Sequence, residues 1–294
     1  MLNCIKNCIK TLFIKSFSPN KNHLIKNRNK TEKELIKGTH KNTNHHRSII
    51  HFSINKAATQ YVKSILNRCA VENGMTHVGI SDYAFNSKFP YLDQLSYEQM
   101  QKFKHIFKCR GYLYGPFFGM VDGIDNLVDY KVILVIRDPR DILVSHYFSM
   151  AYSHATPSKA GDKHDSFLST RHKAQNMTID EYVISESDRF YDIFYRYQIL
   201  LLNRYKNIHM AKYEEMISNF NIWLNDLIEY CEFDLRKEFI QNLIEENNLK
   251  KPKKEDVTKH MRKGVAGDYK EKLQAETIQL LNSKFEPILR CFHY

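Results

Sequence analysis

The sequence predicts an α/β domain, a central parallel sheet flanked by helices on both faces in a three-layer sandwich. Two observations carry that prediction. Short runs of strand length, rich in Val and Ile, alternate with longer segments of helical periodicity. That is the pattern of strands buried on both faces and joined by right-handed crossovers. Two of the runs, SIIHFSI at 48–54 and KVILVI at 131–136, pass directly into a turn and a helix start. Open sheets of this kind bind their ligands at the carboxyl ends of such strands.

The elements follow in order. Residues 1–47 are rich in Asn and Lys and have no long apolar run, so they read as a basic, unstructured arm ahead of one folded domain at 48–294. Within the arm, Leu2, Ile5, Ile9, Leu12 and Phe13 recur at helical spacing among Lys6, Lys10 and Lys15, which suits a short amphipathic helix in weak contact with a membrane surface over residues 1–15. The domain opens with a strand at 48–54 and a helix from 57 to about 69. A strand at 76–80, a loop, a helix at 97–107 and a strand at 111–114 come next, before the strand at 132–136 and its helix. The polar stretch 155–178 reads as a long loop of the substrate-lid kind. A helix or helix pair spans 179–205, a strand 208–212 and helices 216–231 and 235–247. A basic loop and a final helix complete the chain.

The net charge of +11 suggests nucleic acid at first sight, but its location argues otherwise. Eleven Lys and Arg against Glu32 and Glu34 place nine of those charges in residues 1–47, so the domain itself is near neutral and is not expected to bind nucleic acid. The six cysteines form no CxxC pair and no zinc-like spacing with His, the pattern of a reduced, cytoplasmic chain.

Two turns carry the chemistry. In the second, Arg137 stands at the end of a strand, Asp138-Pro139 forms a helix N-cap with proline at the first helical position, and Ser145 returns about two helical turns later. An arginine fork and a hydroxyl beside a helix start suit a dianionic phosphate. In the first, HFSINKAATQY places Lys56 and Thr59 at another helix start after a strand, a second anion cradle. It lacks both glycines of a Walker A loop.

With two cradles on one sheet, the chain resembles the sulfotransferases that use 3′-phosphoadenosine 5′-phosphosulfate (PAPS), a P-loop-like fold. The family's PKSGTTW turn is matched by Asn55 to Tyr61. Its RxPxDxxxSxY element is matched by Arg137, Pro139, Asp141, Ser145 and Tyr147. Its YEDM strand end is matched by Tyr213-Glu214-Glu215-Met216, and its RKGxxGDWK loop by Arg262, Lys263, Gly264, Gly267, Asp268, Tyr269 and Lys270. These four elements, in order, cover about 48–272.

The resemblance implies a PAPS-dependent transferase with PAPS as co-substrate and no metal. Lys56, Ala57, Ala58, Thr59, Gln60 and Tyr61 would hold the 5′-phosphosulfate and adenine end. Arg137, Ser145, Arg262, Lys263 and Gly264 would clamp the 3′-phosphate, and Tyr213 would touch the adenine. Lys56 would neutralise charge on the leaving phosphate oxygen. Ala57-Ala58 replaces the family's Ser-Gly, Gln60 its second threonine and Tyr61 its tryptophan.

The family's histidine base on a middle strand has no counterpart in KCRGYLYGP, which offers Arg110 and Tyr112. Asp82 and His105 are the candidate bases in its place, while His146 and His154 read as solvated and Trp223 as core. The acceptor is a hydroxyl or amine on a small molecule, lipid, glycan or protein. An ATP-dependent kinase of similar fold and an inactive nucleotide-binding scaffold are the alternative readings.

Overall fold

Every residue of β4 (Lys131–Ile136) is buried, as the unbroken apolar run Val132 to Ile136 requires of a central strand. In the computed structural model, which describes residues 29–157, 161–249, 254–259 and 262–294, β4 belongs to a five-stranded sheet. The other strands are β1 (Ile49–Ser53), β2 (Thr76–Val78), β3 (Tyr112–Phe117) and β5 (Ile208–Lys212). Their spatial order is β2-β3-β1-β4-β5, and every neighbouring pair is parallel.

The helices are α1 (Lys30–Ile36), α2 (Thr59–Glu72), α3 (Ile80–Phe85), α4 (Tyr97–Met100), α5 (Pro139–Phe148), α6 (Asp162–Gln175) and α7 (Ile179–Tyr197). After β5 come α8 (Tyr213–Ser218), α9 (Phe220–Cys231), α10 (Lys237–Leu249), α11 (Tyr269–Lys272) and α12 (Ala275–Phe292). The period-2 alternation of β4 sorts them into two layers. Val132, Leu134 and Ile136 pack with Ile142 and Leu143 of α5, Phe190 and Phe194 of α7 and Phe285 of α12. Ile133 and Val135 pack on the other face with Val62, Ile65 and Leu66 of α2 and Leu224 and Leu227 of α9. The helices after β1 and β4 thus leave the sheet on opposite faces, which opens a crevice between the ends of those two strands. The three-layer α/β sandwich is as the sequence predicts.

Gly115 lets β3 approach β1 closely. Its φ is +114°, and a β-carbon there would collide with the carbonyl of His51, at the shift in register between the two strands. Thr178 and Glu181 close a capping box at the start of α7, with Glu181 N donating to Thr178 Oγ1 at 3.2 Å and Thr178 N to Glu181 Oε2 at 2.8 Å.

Three expectations need correction. The part of residues 1–47 that is described belongs to the domain. Leu35 of α1 is buried, Glu32 accepts from Gly79 N at 2.9 Å, and Asn42 Nδ2 donates to the Gly111 carbonyl at 2.8 Å. The amphipathic segment at 1–15 lies outside the described residues. The stretch 155–178 carries α6, whose exposed faces gave no apolar stripe to read, with Ala174 as its buried position. Helix structure near 97–107 is two short pieces, α4 and a 3₁₀ turn at Lys104–Ile106.

Candidate active site

The turn after β1 is held in an unusual backbone conformation. Lys56 and Ala58 have φ of +73° and +61°, both left-handed, and α2 begins at the next residue. A β-carbon in that region costs roughly 1–2 kcal/mol, so the alanine does what a glycine would do at a strain it must absorb. The first amides of α2 have no partner within the helix and point out of its N-terminus. Thr59 fastens the turn to the strand: its Oγ1 lies 2.7 Å from Ser53 Oγ and donates to the Ile54 carbonyl at 3.3 Å. Tyr61, one turn on, donates from its hydroxyl to Asn247 Oδ1 of α10 at 2.7 Å.

At the end of β4, Asp138 caps α5 by accepting from Arg140 N at 2.9 Å, with Pro139 at the first helical position. Its own N–H donates to Glu214 Oε1 at 2.9 Å, which ties this turn to the start of α8 after β5. Arg137 is 7% exposed and lies with its guanidinium carbon 4.3 Å from the centre of the Tyr213 ring. Its Nη1 donates to the Lys56 carbonyl at 3.4 Å and its Nη2 to the Val265 carbonyl at 3.2 Å. Its Nε is buried without a partner among the described residues. Burial first, and the charge of Arg137 second, push Lys56 down to about 8. Two cations so placed form a site for an anion.

The C-terminal loop closes over this pair through Asp141 of α5. That carboxylate is fully buried, lies 3.3 Å from Arg137 Nη2, and accepts from Gly267 N at 2.8 Å and Tyr269 N at 3.0 Å. Within the loop Arg262 pairs with Glu255 and Asp268 and lies 4.3 Å over the Phe148 ring, while Lys263 reaches Asp268 at 3.1 Å. Gly264, at φ +68°, turns the chain there.

Together these segments enclose a cavity of about 520 Å³, within the usual range for small-molecule sites. Lys56, Ala58, Thr59, Gln60, Tyr61, Arg137, Ser145, Tyr213, Arg262, Lys263 and Gly264 all line it. Ala57 sits beneath the turn, fully buried, and its N–H donates to the Ile54 carbonyl at 3.2 Å, so it does not face the cavity. Neither candidate base reaches it. Asp82 pairs with Lys63 at 2.5 Å on α3, and His105 Nε2 bonds the Ile36 carbonyl at 2.9 Å on an exposed 3₁₀ turn. Arg110 and Tyr112 line a separate cavity near the amino end of β3.

The cavity also holds Phe118, Ser149 and Met150, which the sequence reading passed over, and His146 and His154, which it reads as solvated. His146 is not solvated. Its Nδ1 lies 2.8 Å from the Tyr182 hydroxyl and its Nε2 3.3 Å from Arg189 Nη2, and burial pushes it down to about 3. Its position directly after Ser145 was the available signal, since a helix residue next to a site residue turns only about 100° away.

The sequence matches the model of the sulfotransferase domain over residues 125–291, more than half of the chain. None of the curated proteins matches it in sequence. Among solved structures it is similar to mouse sulfotransferase SULT7A1 complexed with PAP, at 15% identity and a TM-score of 0.53 over 90% of this chain and 94% of that one, a likeness of fold. Retinol dehydratase in complex with retinol and PAP aligns at 14% identity and a TM-score of 0.46, over 88% and 86% of the two chains. The chain belongs to the sulfotransferase domain family.

Proposed function

We propose that this sulfotransferase holds PAPS in the 520 Å³ cavity and transfers its sulfuryl group to a hydroxyl or amine acceptor. The observation that carries the donor assignment is the pairing of Lys56 with Arg137. One is pushed down to about 8 by burial and by its neighbour, the other has a buried Nε without a partner among the described residues, and an anion answers both. Bound there, the donor supplies the activated sulfuryl group.

The chain's own residues do the rest. Arg137, Ser145, Arg262 and the N–H of Gly264 receive the 3′-phosphate, the group that sets this donor apart from ATP. Lys56 and the first amides of α2 receive the phosphosulfate and stabilise charge on the departing oxygen. Tyr213 already carries Arg137 on its ring face and so aims the guanidinium, which leaves adenine stacking to Tyr61. In the sheet order β3-β1-β4-β5, Phe118 after β3 and Met216 after β5 lie to either side of the cation pair. The acceptor enters on the side of Phe118, and the apolar side chains of Phe118 and Met150 in the lining suit a small apolar molecule bearing the hydroxyl. The buried, unpaired thiols of Cys69 and Cys231 suit a reducing compartment, and we place the reaction in the cytoplasm.

Incubation with labelled PAPS and a panel of phenols, sterols, glycans and tyrosine peptides tests this reading. Label is expected on an apolar hydroxyl and is lost in Lys56→Ala; no transfer and no binding of the bisphosphate product would overturn it.

A further inference from the structure

We infer that Asp93 is a positioning residue of the acceptor site: its carboxylate holds the loop after β3 and so fixes Phe118, the wall that the acceptor meets. The inference rests on the reading above that the acceptor enters beside Phe118. It concerns a residue behind that wall, which acts through Phe118 and touches neither donor nor acceptor.

Asp93 lies in the middle of a 3₁₀ turn, Leu92–Gln94, between α3 and α4. Its side chain lies against the loop: a β-carbon added to Gly119 would stand 3.3 Å from both Asp93 Cβ and Oδ2. Residue 119 is thus a glycine because the carboxylate fills the space beside it, and not because the chain turns left-handed there. Burial pushes the Asp93 carboxyl up, while hydrogen-bonding backbone N–H groups of Gly119 and Phe118 and the charge of Arg196 pull the other way. The ionised form is therefore the one that grips the loop.

The far side of the loop is held from the end of α7. Arg196 Nη2 donates to the Met120 carbonyl at 3.4 Å. Arg204, beyond the π-helical turn Gln198–Leu202 that follows α7, reaches Asp122 at 3.5 Å. Residues 118–122 are clamped between Asp93 and these two arginines, and the residue at the head of the clamp is Phe118, which faces the cavity. Phe117, directly before it, is buried with its ring centre 5.9 Å from that of Phe52 in β1, so the loop leaves the sheet from a fixed point.

Packing alone does not account for a carboxylate here. Its Oδ1 is buried without a partner among the described residues, and so is the hydroxyl of Tyr197, a fully buried side chain on which the charge of Asp93 acts. Orphaned buried polar atoms cost stability, and an apolar side chain at 93 would avoid that cost. The amides of Phe118 and Gly119 are what the charge answers, and their place beside the cavity gives the carboxylate its function.

The test uses the full chain with PAPS, adenosine 3′,5′-bisphosphate and, as the hydroxyl probe, 2-naphthol. Asp93→Ala is expected to raise KM for 2-naphthol roughly 10-fold, the scale of a lost charged hydrogen bond, with kcat at saturation within about twofold of the wild type. Calorimetry should show 2-naphthol weakened to the same degree on the bisphosphate-loaded chain, and bisphosphate binding unchanged, which also reports that the variant folds. Asp93→Asn keeps an oxygen for the amides and should restore most of the affinity. Gly119→Ala, which presses on the carboxylate from the loop, should raise the same KM. Asp93→Ala with the wild-type affinity for 2-naphthol would overturn the inference alone. A parallel loss for 2-naphthol and the bisphosphate would also overturn it, since Asp93 would then support the fold as a whole. A wild type that binds the bisphosphate but not 2-naphthol would contradict the acceptor's place at Phe118, and the inference with it. Loss of bisphosphate binding in the wild type would strike the donor reading, and this inference with it.

Discussion

Arg137 and Lys56, from the ends of adjacent strands β4 and β1, are joined by a hydrogen bond of 3.4 Å from the arginine Nη1 to the lysine carbonyl. The contact uses the backbone of Lys56, so it leaves the ammonium unengaged, while Asp141 faces the guanidinium at 3.3 Å from Nη2. One carboxylate against two cations leaves a net positive charge, and the site's behaviour with pH follows.

Lys56 sits at about 8 in the free protein, below the usual lysine value because of burial and Arg137. An anion raises it, so binding of adenosine 3′,5′-bisphosphate should take up protons at pH 8–9 and weaken as the pH climbs past about 8. Calorimetry in buffers of different ionisation enthalpy measures that uptake. The sign for folding is the reverse of the usual Lys case. The unfolded chain holds more protons between about 8 and 10.5, so this group adds stability to the unliganded protein as pH rises through that window.

Ala58 holds a left-handed φ of +61° where a side chain is a burden. Ala58→Gly should stabilise the chain by up to about 1 kcal/mol, the relieved strain less the extra entropy of glycine. Ala58→Val should destabilise it by more than that. Urea denaturation of the three proteins decides the order.

Asp141 is the buried tie between α5, Arg137 and the C-terminal loop. Asp141→Ala strands a buried guanidinium and two amides, at a cost of about 3–5 kcal/mol. Asp141→Asn keeps one acceptor oxygen and should lose less. Trypsin should cut after Arg262 or Lys263 faster in the alanine variant, at a rate visible before global unfolding.

Much of this site was legible because its pieces are local. Lys56, Arg137, Tyr213 and Gly264 each follow or join an element that a short window of sequence defines, and each lines the cavity. What was not legible depends on partners far along the chain. Asn42 holds Gly111 and Glu32 holds Gly79, contacts that no composition of the arm foretells. Helix α6 buries Ala174 and half-buries Phe167 and Arg171, too narrow a stripe to register against its polar faces. The burial of His146 is set by Tyr182 and Arg189, one turn or more into α7. Of the base candidates, Asp82 is the acid nearest in sequence to the place after the first helix where other branches of the family carry a glutamate, and His105 is the histidine close in sequence to the middle strand. The structure turns the first toward Lys63 and the second toward Ile36.

Arg262 lines the cavity while paired with Glu255 and Asp268, so a phosphate must share it with two carboxylates. Arg262→Ala should weaken adenosine 3′,5′-bisphosphate by roughly 10–100-fold, the worth of a charged hydrogen bond or two. Binding of ADP, which lacks the 3′-phosphate, should change little. A parallel loss for both nucleotides would show that the arginine serves the loop and not the phosphate.

The central claim is that the cavity between Lys56 and Arg137 is built for a nucleotide with phosphates at both ends. Side-by-side calorimetry of the wild-type chain with adenosine 3′,5′-bisphosphate and with ATP tests it most directly. The bisphosphate is expected to bind at least about tenfold more tightly, since Arg137 and Arg262 have a phosphate to meet only in that ligand. Equal or tighter binding of ATP would contradict the account.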